Sequence, residues 1–459
     1  MTSTDLTLLD EDGRLRTMPL GEAVPFAAPT SPLRSRTVFA AVHVVPIVHG
    51  DNTPGAPADI DWEATIAFRR TMWSRGLGVA DAMDTAQRNM GLDAAATREL
   101  ISRTADAARE ALADPAYAGL FRDGAQVRDL VVAGVSTDHR SEPELSLDQI
   151  VEAYREQLSA TEATGAGAVL MASRHLARAA TSAEDYEEVY RRVLETATEP
   201  VVLHWLGTAF DPQLAGYFGS GDTAEASETL LRIIEENPAR IRGVKMSLLD
   251  AEAEVAVRER LPRGVQMLTG DDFHFSHLIV GEGADGTTAR TDQPEGSFSH
   301  ALLGAFAVTA PAASAAVQAL DAGEPDQARR ILDAAEELAR HVFSAPTYHY
   351  KTGVAFLAWL NGHQPAFTMV GGMHSARSLP HLSRTIELAA STGNLERPQL
   401  AAERWHAMLR LAGYEVARTD AADAVGAGAA GTDAAGAGAA GAAAGGADGP
   451  DGLTEGSAA

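Results

Sequence analysis

The chain has 459 residues, with 63 acidic against 37 basic side chains, a formal net charge of −26 and no cysteine. So negative a field repels nucleic acid and anionic membranes, and the lack of thiols excludes disulfides, thiolate nucleophiles and cysteine-ligated metal centres. The N-terminus lacks the charged and apolar regions of a signal peptide, and no apolar run approaches the ~18 residues of a membrane span, so a cytoplasmic protein without nucleic-acid or membrane partners is expected.

Residues 5–20 alternate apolar and polar either side of Asp12-Gly13, the signature of a tight hairpin, read as a small peripheral flap. A proline-rich linker over 24–32 follows, so that 1–36 forms an N-terminal hairpin and linker. From Thr37 onward apolar runs alternate with amphipathic stretches. Strands are predicted at 38–45, 78–83, 130–135, 168–172, 201–206, 243–247, 265–269 and 297–302. Helices are predicted between them at 62–75, 94–113, 147–164, 183–196 and 224–237, from apolar residues at three- and four-residue spacing. Eight βα repeats predict an α/β fold, a (β/α)8 TIM barrel over 37–311. A C-terminal helical extension over 312–415 follows, either closing one side of the barrel or building an interface between copies of the chain. The remaining 416–459 are mostly Ala and Gly and are expected to be disordered, because they cannot bury enough apolar surface to offset ordering entropy.

Only two of the basic side chains are lysines, Lys245 and Lys351. Arginine keeps its proton at any accessible pH, whereas an amine in an apolar pocket can lose its charge and attack a carbonyl. Lys245 lies in the apolar run Gly243-Val244-Lys245-Met246-Ser247, which delivers the amine towards a strand's C-terminal end and points to Schiff-base chemistry. Lys351 follows aromatic residues at a helix start and reads as structural. Functional side chains of a barrel gather where its strands end. Those ends carry His43; Asp84 and Thr85; 137–139; 173–175; His204; Lys245 and Ser247; Thr269, Asp271 and Asp272; and Ser299 and His300.

These residues resemble the dihydrodipicolinate synthase and N-acetylneuraminate lyase superfamily of class I aldolases, most closely an actinobacterial-type branch of it, over roughly 37–394. Gly243 to Ser247 is similar to the family's Schiff-base strand, Gly-Ile-Lys-Asp-Ser. Val265 to Asp272 is similar to its seventh strand with the Gly-Asp-Asp ending, and Gly296-Ser297-Phe298-Ser299 to its Gly-x-Ile-Ser segment. Ile60-Asp61 resembles the entry to the first helix, and Met83-Asp84-Thr85-Ala86-Gln87 occupies the place of the Gly-Thr-Thr-Gly-Glu cradle. The resemblance implies that Lys245 forms an imine with a small oxo acid or related carbonyl substrate. It implies that Thr85 holds a polar substrate group and that Asp84, Ser247, Thr269, Gly270 and Ser299 line the substrate. It also implies a homo-oligomer that needs no metal or other cofactor. Two departures stand out. His204 takes the place of the proton-relaying tyrosine of the fifth strand, and Gly207-Thr208-Ala209-Phe210 lacks the arginine that grips the second substrate of dihydrodipicolinate synthase. Lysine biosynthesis is therefore not implied. Two other readings stay open: a metal-dependent barrel hydrolase or isomerase using His43, His139, His204 and Asp271, and a barrel that binds a metabolite without catalysis.

Overall fold

The computed structural model describes residues 5–281 and 296–416. The stretch from 417 onward, expected to be disordered, lies outside the described residues. Two antiparallel strands come first, β1 (Asp5–Leu9) and β2 (Leu15–Pro19). Eight parallel strands follow: β3 (Val38–Ala41), β4 (Gly78–Asp81), β5 (Val131–Val135), β6 (Gly167–Met171), β7 (Val201–Leu206), β8 (Ile241–Ser247), β9 (Gln266–Thr269) and β10 (His300–Leu303). They close on themselves in chain order, with β10 pairing to both β9 and β3. The predicted TIM barrel is the fold, with a layer of helices outside it and further helices from Ala310 to Leu411.

Alternation along each strand separates two apolar layers. Inward-facing Phe39, Ala80, Val132, Val169, Val202, Leu268 and Leu302 fill the barrel, while Val131, Leu203, Val244 and Met246 meet the surrounding helices. The helices begin on capping side chains: Asp61 accepts from the Ala64 N–H, Asp93 from Ala95 and Ala96, and Asp222 from Ala224 and Glu225. No helix of the described residues is long and apolar enough to cross a membrane.

The N-terminal hairpin forms where predicted, but on a longer turn than Asp12-Gly13 alone, since Leu9 stands opposite Leu15 and the Asp10 N–H donates to the Arg14 carbonyl, and it is not a loose flap. Leu6 and Leu8 are fully buried, the Thr7 N–H donates to His406 Nε2, the Leu9 N–H to Ser383 Oγ, and Trp405 Nε1 to the Thr7 carbonyl. The leucines of alternate positions face one side and need a cover, which the helices Leu379–Ser391 and Pro398–Leu411 provide.

A buried ion pair ties the first two strands of the barrel to the helix between them. Arg69 on Trp62–Ser74 donates from Nε and Nη2 to the Asp81 carboxylate at 3.2 and 2.8 Å, and from Nη1 to the carbonyls of His43 and Thr65. Neither partner touches solvent.

Candidate active site

Gly243, Lys245 and Ser247 share one face of β8 because side chains alternate along a strand, and Val202, His204 and Leu206 share the corresponding face of β7. The register sets His204 directly opposite Lys245. Lys245 Nζ consequently lies 3.0 Å from His204 Nε2 and donates to Ser247 Oγ at 2.8 Å, while Ser247 Oγ stands 3.2 Å from His204 Nε2. Gly270 leaves the room for this triangle: a Cβ there would meet Ser247 Oγ at 2.2 Å, the Met246 carbonyl at 2.7 Å and Lys245 Cε at 3.1 Å.

Burial lowers the Lys245 amine below the ordinary lysine value, against the charges of Asp84 and Asp272, which act on it through space. Burial, followed by the nearby amine, holds the His204 imidazole well below the usual histidine range. His204 is thus a neutral ring, not a group poised near neutrality as its residue type suggests, and among the described residues its Nδ1 has no hydrogen-bond partner. The Asp272 carboxyl is pushed well above the carboxylate range by burial, with Asp271 and Asp84 adding to the effect, and its Oδ1 accepts from the Ala305 N–H at 3.0 Å.

A second cluster adjoins the first. Tyr350, on the helix Tyr350–Leu360, donates its hydroxyl to Asp84 Oδ2 at 2.8 Å, which leaves Thr85 Oγ1, 2.6 Å away, to donate to the phenol oxygen. The ring stacks on Phe343 with centroids 4.2 Å apart, and Gly304, just past β10, lets all three approach, since a Cβ there would meet Phe343, Tyr350 and Thr85. Burial, then the Asp84 charge, raises the phenol well above its ordinary value, so it stays protonated as a donor. Thr85 therefore supports this tyrosine rather than offering a free hydroxyl.

Above these groups, where strands β4 to β7 end, opens a cavity of about 220 Å³. Asp84, Arg88, Arg174, Phe210, Tyr348 and Lys351 are among the residues of its wall. Lys245 is not on that wall; Asp84, whose charge bears on its amine, is. The helical extension supplies Tyr348 and Lys351, so it closes one side of the barrel mouth. Neither Tyr350 nor Lys351 was singled out for chemistry from the sequence. The rarity of lysine did mark Lys351, and its structural reading came from its position after aromatic residues at a helix start.

The structure separates other predicted residues from this site. The eighth strand begins at His300, so Ser299 and His300 stand at its start, not its end. Ser299 Oγ donates to Glu254 Oε1 at 2.7 Å and accepts from Arg258 Nη1, and His300 Nδ1 accepts from the Thr37 N–H. Thr269 faces the helix layer: its hydroxyl accepts from the Asp271 N–H and bears on Glu254. Both residues fall on the outer side because alternation puts them there. Asp271 caps the turn after β9, accepting from the N–H groups of Phe273 and His274. His43 is bound to Gln364 Oε1 at 2.7 Å and His139 to Glu156 Oε2 at 2.7 Å. The four residues considered for a metal are therefore each engaged elsewhere, and among the described residues no group of three or more His, Asp or Glu side chains is arranged to hold a metal ion.

Glu254 itself carries a measurable consequence. Burial raises its carboxyl to about 7, from 4.5, against the hydrogen bond from Ser299. Between those values the unfolded chain has released the proton and the folded chain has not, so this group's contribution to stability falls as pH rises through that window, by at most roughly 3 kcal/mol. Glu254→Gln removes that slope. Urea denaturation at about pH 5 and about pH 8 is expected to show the variant gaining on the wild type at the higher pH, and parallel pH dependence in the two proteins would refute the assignment.

Many solved structures share the fold at low sequence identity. A dihydrodipicolinate synthase from Oceanobacillus iheyensis matches with a TM-score of 0.53 and 12% identity, covering 78% of this chain and 96% of that one. A prophage protein of the dihydrodipicolinic acid synthase family from Escherichia coli, in complex with pyruvate, matches with a TM-score of 0.55 and 13% identity over 78% of this chain and 98% of that one. The chloride-inhibited dihydrodipicolinate synthase from Acinetobacter baumannii, also complexed with pyruvate, gives 0.55 and 13% over 79% and 100%. No curated protein sequence matches. A family model does, across residues 6–414, from the N-terminal hairpin through the barrel to the last helix, and the chain belongs to that family, described as protein of unknown function DUF993.

Proposed function

We propose that the protein is a Schiff-base lyase or aldolase acting on a small oxo acid or related carbonyl compound. The observation that carries this reading is the Lys245 amine, buried at the end of β8 and hydrogen-bonded to two uncharged groups, His204 and Ser247. A buried amine so held loses its proton more readily than one in water and keeps a lone pair for attack. Its addition to the carbonyl carbon forms the C–N bond as the carbonyl π pair moves to oxygen, and His204 Nε2, 3.0 Å from the amine, would relay the protons that the nitrogen sheds to that oxygen. Water then leaves to give the imine. The protonated imine draws the electron pair of a carbon–carbon or carbon–hydrogen bond at the neighbouring carbon, leaving an enamine, while the far fragment departs as a carbonyl compound or the released proton passes to a base. Tyr350 and Asp272, both pushed towards their protonated forms by burial, would serve as acids. The two fold neighbours that hold pyruvate support an oxo acid as the carbonyl partner.

Borohydride reduction in the presence of pyruvate and a panel of other oxo acids tests the reading. Peptide mass mapping is expected to find the reduced adduct on Lys245. An adduct on Lys351 instead, or none with any member of the panel, refutes the assignment.

A further inference from the structure

The cavity wall bears more cationic than acidic side chains, in a chain whose net charge is −26. Most of those cations are spent within the protein. Arg88 gives Nε and Nη2 to Asp138 and Nη1 to the carbonyls of Ala82 and Gly134, and Arg178 is held by the Pro143 carbonyl and Gln213. Lys351 and Arg174 differ. Lys351 is only 2% exposed, yet its three-proton ammonium makes one hydrogen bond, to the Tyr348 carbonyl at 3.2 Å. Its ion-pair partner, Asp84 Oδ2, stands at 3.7 Å, beyond hydrogen-bond reach, and already accepts from Tyr350, so the pair leaves ammonium protons unused. Arg174 gives Nε to Asp211 at 2.6 Å and leans on Tyr348, so Tyr348 joins the two cations. Burial lowers the Lys351 amine below its ordinary value, Asp84 and then Asp211 work against that, and Arg174 adds to it as a like charge. A buried ammonium with unused donors, held by one distant carboxylate and standing beside a guanidinium on a cavity wall, can take up a second anion.

We infer that Lys351 and Arg174 form a subsite for an oxyanion, a carboxylate or phosphate carried by the substrate away from the carbonyl that Lys245 attacks. The link to a substrate rests on the Schiff-base reading; the anion site itself does not. An oxyanion between the two cations would take the unused ammonium protons and separate the like charges. It would also give the helical extension a part in substrate choice, since Lys351 is placed by that extension and not by the barrel.

Isothermal titration of the full chain with inorganic phosphate and, separately, with succinate tests the subsite and tells the two oxyanions apart. One of them is expected to bind in the millimolar range or tighter, and Lys351→Met and Arg174→Gln are each expected to weaken it about tenfold or more, the loss of one charge-assisted contact. Lys245→Ala is expected to bind the anion as the wild type does. Circular dichroism melts check folding, and if Lys351→Met does not fold, Arg174→Gln decides. No binding of either anion to the wild type, or undiminished binding in a folded variant, overturns the inference. Anion binding that survives alongside a missing borohydride adduct would remove the lyase reading and leave the subsite standing.

Discussion

Arginine in place of Lys245 is expected to lower turnover of the carbonyl substrate by about 10³-fold or more, as removal of a nucleophile does, with the fold retained. A guanidinium cannot lose its proton and cannot form the imine. Lys245→Met, similar in length and without charge, is expected to fail equally and avoids burying a guanidinium beside His204. The wild-type rate should climb with pH through a value below the ordinary 10.5 of lysine, because burial favours the uncharged amine and only that form attacks. Initial rates and a pH profile of kcat/KM check both statements. Turnover by either variant at the wild-type rate would mean that another group carries the chemistry.

Arg69→Leu is expected to cost about 3–5 kcal/mol of stability, because it strands the Asp81 carboxylate in a site without water. The loss reaches further than the pair. Arg69 also holds the carbonyls of His43 and Thr65, and Asp81 Oδ2 accepts from Thr104, so four elements of the barrel's first quarter lose a shared partner. Replacing both partners with leucine should recover part of the loss, since two apolar side chains of similar volume leave no charge behind. Urea denaturation of the two single variants and the double variant measures this. A single-variant loss under about 1 kcal/mol would show that water reaches Asp81.

The barrel was legible in the sequence because each of its strands is buried on both faces and so reads as a short apolar run between helices. All eight runs became strands, with ends moved by a few residues. That shift matters at β10, where reading the strand three residues early carried Ser299 from the barrel's outer layer into the imagined site. The helix Ala251–Arg258 was not predicted: its eight residues, Ala-Glu-Ala-Glu-Val-Ala-Val-Arg, are too few and too alternating to give a clear apolar stripe. Lys245 was found by composition and spacing, and the β7–β8 register supplied its partner His204. Asp272 was named among the strand-end residues but given no role, and its neighbour Asp271 is the one that caps the following turn. Tyr350 escaped for a different reason. Its approach to Asp84 and Thr85 spans 266 and 265 residues of chain, and no local pattern encodes a contact that only the packing of the helical extension on the barrel creates.

The docking of the first hairpin on the last helices sets an order of events during synthesis. Thr7 bonds to His406 across 399 positions, so Leu6 and Leu8 have no cover until nearly all of the described chain has emerged from the ribosome. Contacts between such distant positions form late and slowly. The nascent protein must therefore carry an apolar ribbon at its leading end through almost the whole of translation, a stage at which a holding chaperone would find its grip.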